Sequence, residues 1–143
     1  MSADRSIITI ASRSHLKEWM KSSLPSLTPE EKHATFRRLC TSHLYFLLVY
    51  GLNRADADND WCFDRCREVQ AEPNGHLDLW AREHYKSTII TFALTIQDIL
   101  RDPEITVGIF SHTRPIAKGF LRQIKREFEA NELLKALFPD VLY

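Results

Sequence analysis

Residues 76–88 read HLDLWAREHYKST, and this stretch decides the fold that the sequence predicts. A short apolar run at 77–81 leads into a polar loop that closes on Lys86, Ser87 and Thr88, and an apolar helical pattern over 89–100 follows at once. Strand, loop, lysine, hydroxyl and helix in that order are typical of a phosphate-binding loop. The free N–H groups and the dipole at the start of a helix attract a phosphate. The lysine adds a positive charge, and the hydroxyl can bind Mg²⁺.

Two positions depart from the common phosphate-loop pattern, G-x-x-x-x-G-K-[ST]. Its glycines would fall at Trp80 and Tyr85, so aromatic residues replace both. The pattern alone therefore leaves a simpler alternative open, in which residues 77–88 form an ordinary strand-to-helix turn that carries a surface lysine.

The length and composition of the chain indicate a globular protein of one domain or less. It has 143 residues, of which 44% are apolar and 27% are charged, values typical of a folded chain rather than a disordered one. Lysine and arginine together number 19, as do aspartate and glutamate. No overall positive field therefore marks a nucleic-acid-binding protein, and such binding would require a local basic patch.

The three cysteines, Cys40, Cys62 and Cys66, form no even-numbered disulfide framework. Cys62 and Cys66 would share one helix face and could begin a metal site, but no second close pair of cysteine or histidine residues completes it. We expect reduced thiols that are buried or half-buried. With no apolar leader and no run of membrane-spanning length in the sequence, we also expect no membrane association and a cytoplasmic location.

The first part of the chain, residues 1–74, has helical patterns. The T-P-E-E motif at 28–31 matches a capping box with proline at the first helical position, which predicts a helix start. Apolar residues follow at helical spacing, the section 44–49 is apolar on every side and should be buried, and Gly51 is a natural stop. After a polar loop, Asp60 is expected to cap a shorter helix over 61–71.

The second part, residues 75–143, alternates between the two periodicities. The predicted order is a strand at 77–81, a helix at 87–101, a β-branched strand at 105–110, an amphipathic helix from 114 and a short helix at 131–138. A βαβα unit of this kind implies a parallel sheet with a right-handed crossover. Two strands cannot form a stable parallel sheet by themselves. The predicted fold class is therefore α/β, with an incomplete parallel sheet preceded by a helical N-terminal region.

The sequence from Arg82 to Thr88 resembles the variant Walker A loop of phage terminase large subunits. In that family an arginine is followed by three variable residues, a lysine and a serine or threonine, often without the second glycine. The resemblance extends to the flanking segments and covers roughly residues 40–143. It implies the first part of a P-loop NTPase sheet within the ATP-driven motor for viral DNA packaging. The partners would be double-stranded DNA, the portal and the small terminase subunit, in the cytoplasm of a bacterial host cell.

The resemblance implies ATP and Mg²⁺ as cofactors and gives roles to the loop residues. Lys86 would contact the β- and γ-phosphates, and Ser87 would bind Mg²⁺. Arg82 would act as an arginine finger or a coupling residue, with a surface salt bridge to Glu83 or Asp78 as the alternative. The residues expected to line the phosphates are Glu83, His84, Tyr85, Lys86, Ser87 and Thr88.

Three further side chains have two interpretations each. His84 could donate a proton, or it could be a loop residue that faces solvent. Trp61 or Phe63 could stack on the adenine, or they could pack in the core.

Hydrolysis of ATP is not expected from this segment alone. A Walker B strand would end in an aspartate followed by a glutamate, but the strand predicted at 105–110 is followed by Ser111, His112 and Thr113. The nuclease domain of the family is also missing from this sequence. Two other functions stay open: a non-catalytic interaction module or truncated prophage remnant that acts or self-associates through residues 12–72, and a small-molecule kinase.

The helix predicted from residue 114 has a basic polar side. Its cations are Arg114, Lys118, Arg122, Lys125 and Arg126. Such a stripe could follow a DNA backbone. An ordinary solvated face is the alternative, because Glu127 and Glu129 dilute the charge and no aromatic residues lie between the cations.

Overall fold

The computed structural model describes residues 10–72, 74–75, 77–82 and 84–142, so Glu83 of the predicted phosphate-binding set lies outside the described residues. Within these ranges the chain forms seven helices and two short 3₁₀ turns, Leu24–Ser26 and Ala55–Ala57. The helices are α1 (Arg13–Ser22), α2 (Pro29–Ser42), α3 (Leu44–Phe46, continued by the π-helical turn Leu47–Gly51), α4 (Asp60–Ala71), α5 (π-helical Ser87–Leu94, continued by α-helical Thr95–Arg101), α6 (Arg114–Ala130) and α7 (Glu132–Leu137). None of them combines the length and the apolar character needed to cross a membrane.

Helix α2 begins at the predicted capping box. The Thr28 hydroxyl accepts from the Glu31 N–H at 3.2 Å, and the Glu31 carboxylate accepts from the Thr28 N–H at 2.8 Å. The helical pattern is interrupted at His43, whose extended backbone ends α2 and whose Nδ1 accepts from the Phe46 N–H to start α3. Residues 44–49 are buried, as their apolar pattern predicts.

Helix α4 begins one residue earlier than predicted. Asn59, and not Asp60, is the N-cap, and its side-chain oxygen accepts from the Cys62 N–H at 2.9 Å. Cys62 and Cys66 are buried without a disulfide, as is Cys40 of α2. Burial raises the pKa of Cys40 to about 12 and also raises the pKa of Cys66. Burial therefore favours the protonated form of both thiols, and the expectation of buried cysteines is confirmed.

The predicted α/β fold is wrong, because the described part of the chain is helical and contains no β-strand. The segments 77–81 and 105–110 are irregular, and their apolar side chains reach into solvent: Leu77, Leu79 and Phe110 are 80%, 81% and 94% exposed. Alternating and β-branched residues fit a pleated surface, but a strand also needs a neighbour for its backbone hydrogen bonds. The residue pattern indicates a propensity for β structure, but it does not show whether a second strand is available for pairing.

The helices predicted in the second half of the chain are confirmed. Helix α5 covers 87–101, the predicted range, and ends at the extended Asp102 before Pro103. Helix α7 follows Asn131, whose side-chain oxygen accepts from the Leu134 N–H at 3.0 Å. The Asn131 amide also donates to the Gly51 carbonyl oxygen at 2.8 Å, so one residue caps α7 and joins it to the end of α3.

The core draws on both halves of the sequence. Fully buried side chains from the first half pack in one cluster with those from the second, among them Leu39, Phe46, Phe63, Ile89, Ile96, Leu134 and Phe138. Gln97 of α5 is buried within this cluster and donates to the Cys40 carbonyl oxygen of α2 at 3.0 Å. Helix α5, which follows the predicted phosphate loop, is therefore fixed against the N-terminal helices.

Two side chains of α2 hold the carboxyl end of α7. His33 Nε2 lies 2.8 Å from the Ala136 carbonyl oxygen, 103 positions along the chain. Arg37 donates to the Leu137 carbonyl oxygen at 2.8 Å and to both carboxylate oxygens of Asp140. Since the last carbonyls of a helix have no partner inside it, these contacts satisfy groups that would otherwise need water. We call this set of contacts the α2–α7 clamp.

Candidate functional site

The loop predicted to bind phosphate lines a cavity at the start of α5. The cavity has a volume of about 340 Å³, and its lining is Trp80, Ala81, Arg82, His84, Tyr85, Lys86, Ser87 and Thr88. Every described member of the predicted phosphate-binding set therefore borders one concave space. The strand that was expected to lead into the loop is absent, so the cavity is formed by irregular chain and the first turn of a helix.

Tyr85 has a left-handed backbone conformation, with φ 62°, directly before α5. Glycine adopts such a φ at no steric cost, whereas another residue pays roughly 1–3 kcal/mol and must be held there by its surroundings. The half-buried Tyr85 side chain is held in this way, because its hydroxyl donates to the Asp56 carbonyl oxygen at 3.0 Å. The second glycine of the phosphate-loop pattern would fall at this position, and an anchored tyrosine forms the bend that glycine would permit.

Lys86, Ser87 and Thr88 occupy the start of α5. Lys86 and Ser87 are exposed, and no described side chain caps the helix. Lys86 Nζ donates to the Asp78 carbonyl oxygen at 3.4 Å, a long hydrogen bond that a phosphate oxygen could replace. The uncapped N–H groups, the helix dipole and the ammonium all favour an anion at this end of the helix.

Trp61 of α4 lies beside the loop and remains partly open to solvent. Its side chain packs edge-to-face against Trp80 and His84, with ring centroids 5.3 Å and 5.4 Å apart, and the residue is 37% exposed. Phe63, by contrast, is buried against Tyr45, with ring centroids 5.1 Å apart. Core packing is therefore the correct interpretation for Phe63, and Trp61 is the aromatic residue of the two that a ligand could reach.

Arg82 and His84 are exposed members of the same loop. His84 Nδ1 lies 2.8 Å from the Arg82 carbonyl oxygen, so the imidazole is oriented by the backbone of its own loop. Its exposure agrees with the interpretation of His84 as a residue that faces solvent. Arg82 and Lys86 are the two cationic side chains in the described part of the cavity lining.

An ion-pair cluster centred on Asp58 fixes the segment at residues 56–58, which contacts the predicted phosphate loop through Tyr85. The Asp58 carboxylate accepts from Arg13 at 2.9 Å, from Lys17 at 2.8 Å and from the Tyr45 hydroxyl at 2.6 Å. Burial by itself would raise the pKa of Asp58, but the hydrogen bonds from Lys17, Tyr45 and Arg13 outweigh it and hold the pKa at about 2. Asp58 is therefore charged at every physiological pH.

The Asp58 cluster supports the loop through the chain itself. Asp56, two residues before Asp58, is the residue whose carbonyl oxygen receives the Tyr85 hydroxyl. The sequence predicted only a polar loop before Asp60, and neither contact could be foreseen from it. Arg13, Lys17 and Tyr45 lie 45, 41 and 13 positions from Asp58 along the chain. A rule based on short-range spacing cannot relate residues that are so far apart.

The donors around the cavity fit phosphate oxygens better than a metal ion alone. The described residues contain no group of three or more His, Cys, Asp or Glu side chains that could hold a metal. An ammonium, a guanidinium and the amides at a helix start are phosphate ligands. The Ser87 hydroxyl could supply one Mg²⁺ ligand, since Mg²⁺ in phosphate sites takes most of its ligands from phosphates and water.

No protein-family model matches the chain, and neither a curated protein nor a solved structure matches it. The function is therefore inferred from the chemistry and geometry of the cavity.

Proposed function

We propose that residues 82–88 bind the phosphate groups of ATP, and that the chain is a nucleotide-binding part of a terminase-like ATPase. The observation that carries the proposal is the left-handed bend at Tyr85 directly before the uncapped start of α5. This bend brings Lys86, Ser87 and Thr88 to the border of one cavity together with Arg82.

Phosphate binding of this kind does not need a β-sheet, because the attraction comes from the start of a helix and from nearby cations. The cavity is shallow and the cations are exposed, so water screens much of their charge. We therefore expect weak binding, with a dissociation constant on the order of 0.1–1 mM. Mg²⁺ would arrive with the nucleotide and add the Ser87 hydroxyl to its ligands.

The adenine is assigned to the side of Trp61. Its indole is partly open and lies against Trp80 and His84 at the rim of the loop. An adenine that stacks there would gain roughly 1–3 kcal/mol, the usual range for a base on an aromatic side chain. The phosphates would then lie toward Lys86.

Hydrolysis is not assigned to this chain. Residues 111–113, which follow the segment that was expected to be the second strand, carry no carboxylate that could activate a water. In a terminase-like motor the bound nucleotide would drive movement of double-stranded DNA, with the portal and the small terminase subunit as partners. These partners follow from the resemblance alone.

The phosphate site is tested by titration calorimetry with Mg·ATP. Lys86→Ala should weaken binding at least about tenfold, equivalent to about 1.4 kcal/mol, because the substitution removes the ammonium group at the cavity border. The matched control is Lys21→Ala, which removes a lysine in the last turn of α1, outside the cavity lining. ATP affinity that is measurable and equal in the wild type and in Lys86→Ala would refute the phosphate site.

A second comparison separates the base from the phosphates. Trp61→Leu should weaken binding of ATP and leave binding of tripolyphosphate unchanged, since the adenine is the only part of the ligand that the indole is expected to contact. Equal losses for both ligands would show that Trp61 supports the loop and does not touch the base.

A second candidate function, self-association, is favoured by the apolar side chains of Leu77, Leu79 and Phe110, which are almost fully exposed. Exposed apolar groups of this size are typical of surfaces that another chain covers. The molar mass from light scattering should rise with concentration for the wild type and stay monomeric for Leu79→Ser combined with Phe110→Ser. Leu133→Ser, at another exposed leucine, is the control. A monomeric wild type at all concentrations would exclude this candidate.

A further inference from the structure

Helix α6 presents an exposed basic face that the nucleotide proposal leaves without a role. Five of its cations are exposed: Arg114, Lys118, Arg122, Lys125 and Arg126. Among the described residues, none of the five forms an ion pair or a side-chain hydrogen bond. Their charge is therefore not neutralised within the described part of the protein.

The five cations form one continuous stripe that winds slowly around the helix. At 3.6 residues per turn they fall within a sector of roughly 120° of the helix, and four of them recur every fourth residue. From Arg114 to Arg126 the stripe is roughly 18 Å long, which corresponds to about five phosphates of one strand when measured along the duplex axis, at roughly 3.4 Å each. A row of repeated charges of this length complements a linear polyanion and not a single small anion.

The packing of α6 favours a polyanion over a bilayer. Ile124 is buried and Phe120 and Phe128 are half-buried, whereas Ile116 and Leu121 are 42% and 49% exposed, so most of the apolar stripe is turned away from solvent. A helix that lies in a membrane interface must turn its apolar side to the lipid. The five exposed cations outnumber the two exposed large apolar side chains of α6, which favours contact with phosphates over contact with hydrocarbon.

We propose that the basic face of α6 binds the sugar-phosphate backbone of a nucleic acid duplex without reading its sequence. The chain has no net charge, so the attraction is local to this helix. Glu129 lies within the basic sector and reduces its potential, whereas Glu127 lies on the other side. This binding would not require the nucleotide cavity, because the five cations belong to α6 and Lys86 does not.

Fluorescence anisotropy with a labelled duplex of arbitrary sequence tests this surface. For the wild type, the logarithm of affinity should fall with the logarithm of salt concentration with a slope of about −3 to −4, as expected for three to four neutralised phosphates. Replacing Arg114, Lys118 and Arg122 by glutamine should lower the affinity at least about tenfold at low salt and bring the slope close to −1. Glu129→Gln should raise the affinity.

The control removes three positive charges elsewhere, by Lys21→Gln, Arg101→Gln and Lys135→Gln. This variant has the same net charge as the α6 variant and should bind nearly as well as the wild type. Circular dichroism confirms that both variants keep their helices. Lys86→Ala should retain duplex binding, so failure of the nucleotide site and failure of this surface can be distinguished.

Three outcomes would overturn the proposal. The wild type could fail to bind the duplex at low salt, or both triple variants could lose affinity equally. In the third, vesicles of phosphatidylserine and phosphatidylcholine would bind through α6 while the duplex does not, which would assign the basic face to a membrane surface.

Discussion

Asp58→Asn should destabilise the protein by about 1–2 kcal/mol at neutral pH. The substitution keeps the shape of the side chain and removes the charge that faces Arg13 and Lys17. It also mimics the protonated carboxyl group, so the variant reports what protonation of Asp58 would do to the folded state.

The magnitude follows from the pKa. The three hydrogen bonds lower the pKa of Asp58 from 3.8 to about 2 in spite of its burial. At about 1.4 kcal/mol per pKa unit, the charged form contributes at most roughly 2.5 kcal/mol. The side chain is 28% exposed and Lys17 is more exposed still, so screening by water reduces the expected value to about 1–2 kcal/mol.

The sign of the pH dependence is fixed by the lowered pKa. The contribution is complete above the ordinary pKa of 3.8 and is lost as the pH falls through about 2. Urea denaturation followed by circular dichroism should therefore give a difference between wild type and Asp58→Asn that is constant from neutral pH down to about pH 4 and shrinks toward zero near pH 2.

Asp60→Asn is the matched control. The Asp60 carboxylate also accepts from Arg13, at 2.8 Å, but it is 82% exposed and should contribute less than about 0.5 kcal/mol. The reasoning would be refuted by a difference for Asp58→Asn that stays constant from pH 4 to pH 2. A difference no larger than that of Asp60→Asn would refute it equally.

Three further substitutions and one titration test the fold. Gly51→Ala should destabilise the protein by about 1–3 kcal/mol, because a Cβ would lie 2.9 Å from Leu47 Cδ1. Gly119→Ala should instead stabilise α6 by about 0.5–1 kcal/mol, because no atom lies within 4 Å of the added Cβ. Thermal melts of the two variants compare these effects. The His43 ring protons should titrate near pH 4 in NMR spectra, since burial and the positive charge of Arg67 lower the pKa of His43 from 6.5 to about 4. The stability that neutral His43 provides above pH 6.5 should be lost as the pH falls through 4. A midpoint at 6.5 would contradict its burial. Thr28→Ala should cost about 1 kcal/mol in urea denaturation through loss of the cap of α2, and an unchanged midpoint would contradict that.

The helices could be predicted from the sequence because their signals are local. The capping box at Thr28, the Asn131 cap and the stop at Asp102 each act within four residues of the helix end that they define. The break at His43 could not be predicted, because a short-range pattern cannot distinguish one bent helix from two helices that share an apolar face.

The sheet was predicted wrongly because strand pairing is a property of two segments. Residues 105–110 have strong β propensity, yet no described segment lies beside them as a strand. The described residues that were predicted to bind phosphate line one cavity at the start of α5, and their role in binding stays a prediction. The anchors of this cavity, the Asp56 carbonyl oxygen and the Asp58 cluster, come from distant positions and required the structure.

The α2–α7 clamp also bears on how the chain folds. His33 and Arg37 can close their contacts only after residues 136–140 have been synthesised, and the closure of a loop of about 100 residues costs roughly 4 kcal/mol of chain entropy. Contacts of such long range slow folding. Helix α2 is thus expected to form early and locally from its capping box. Its contacts with α7 are expected to form last.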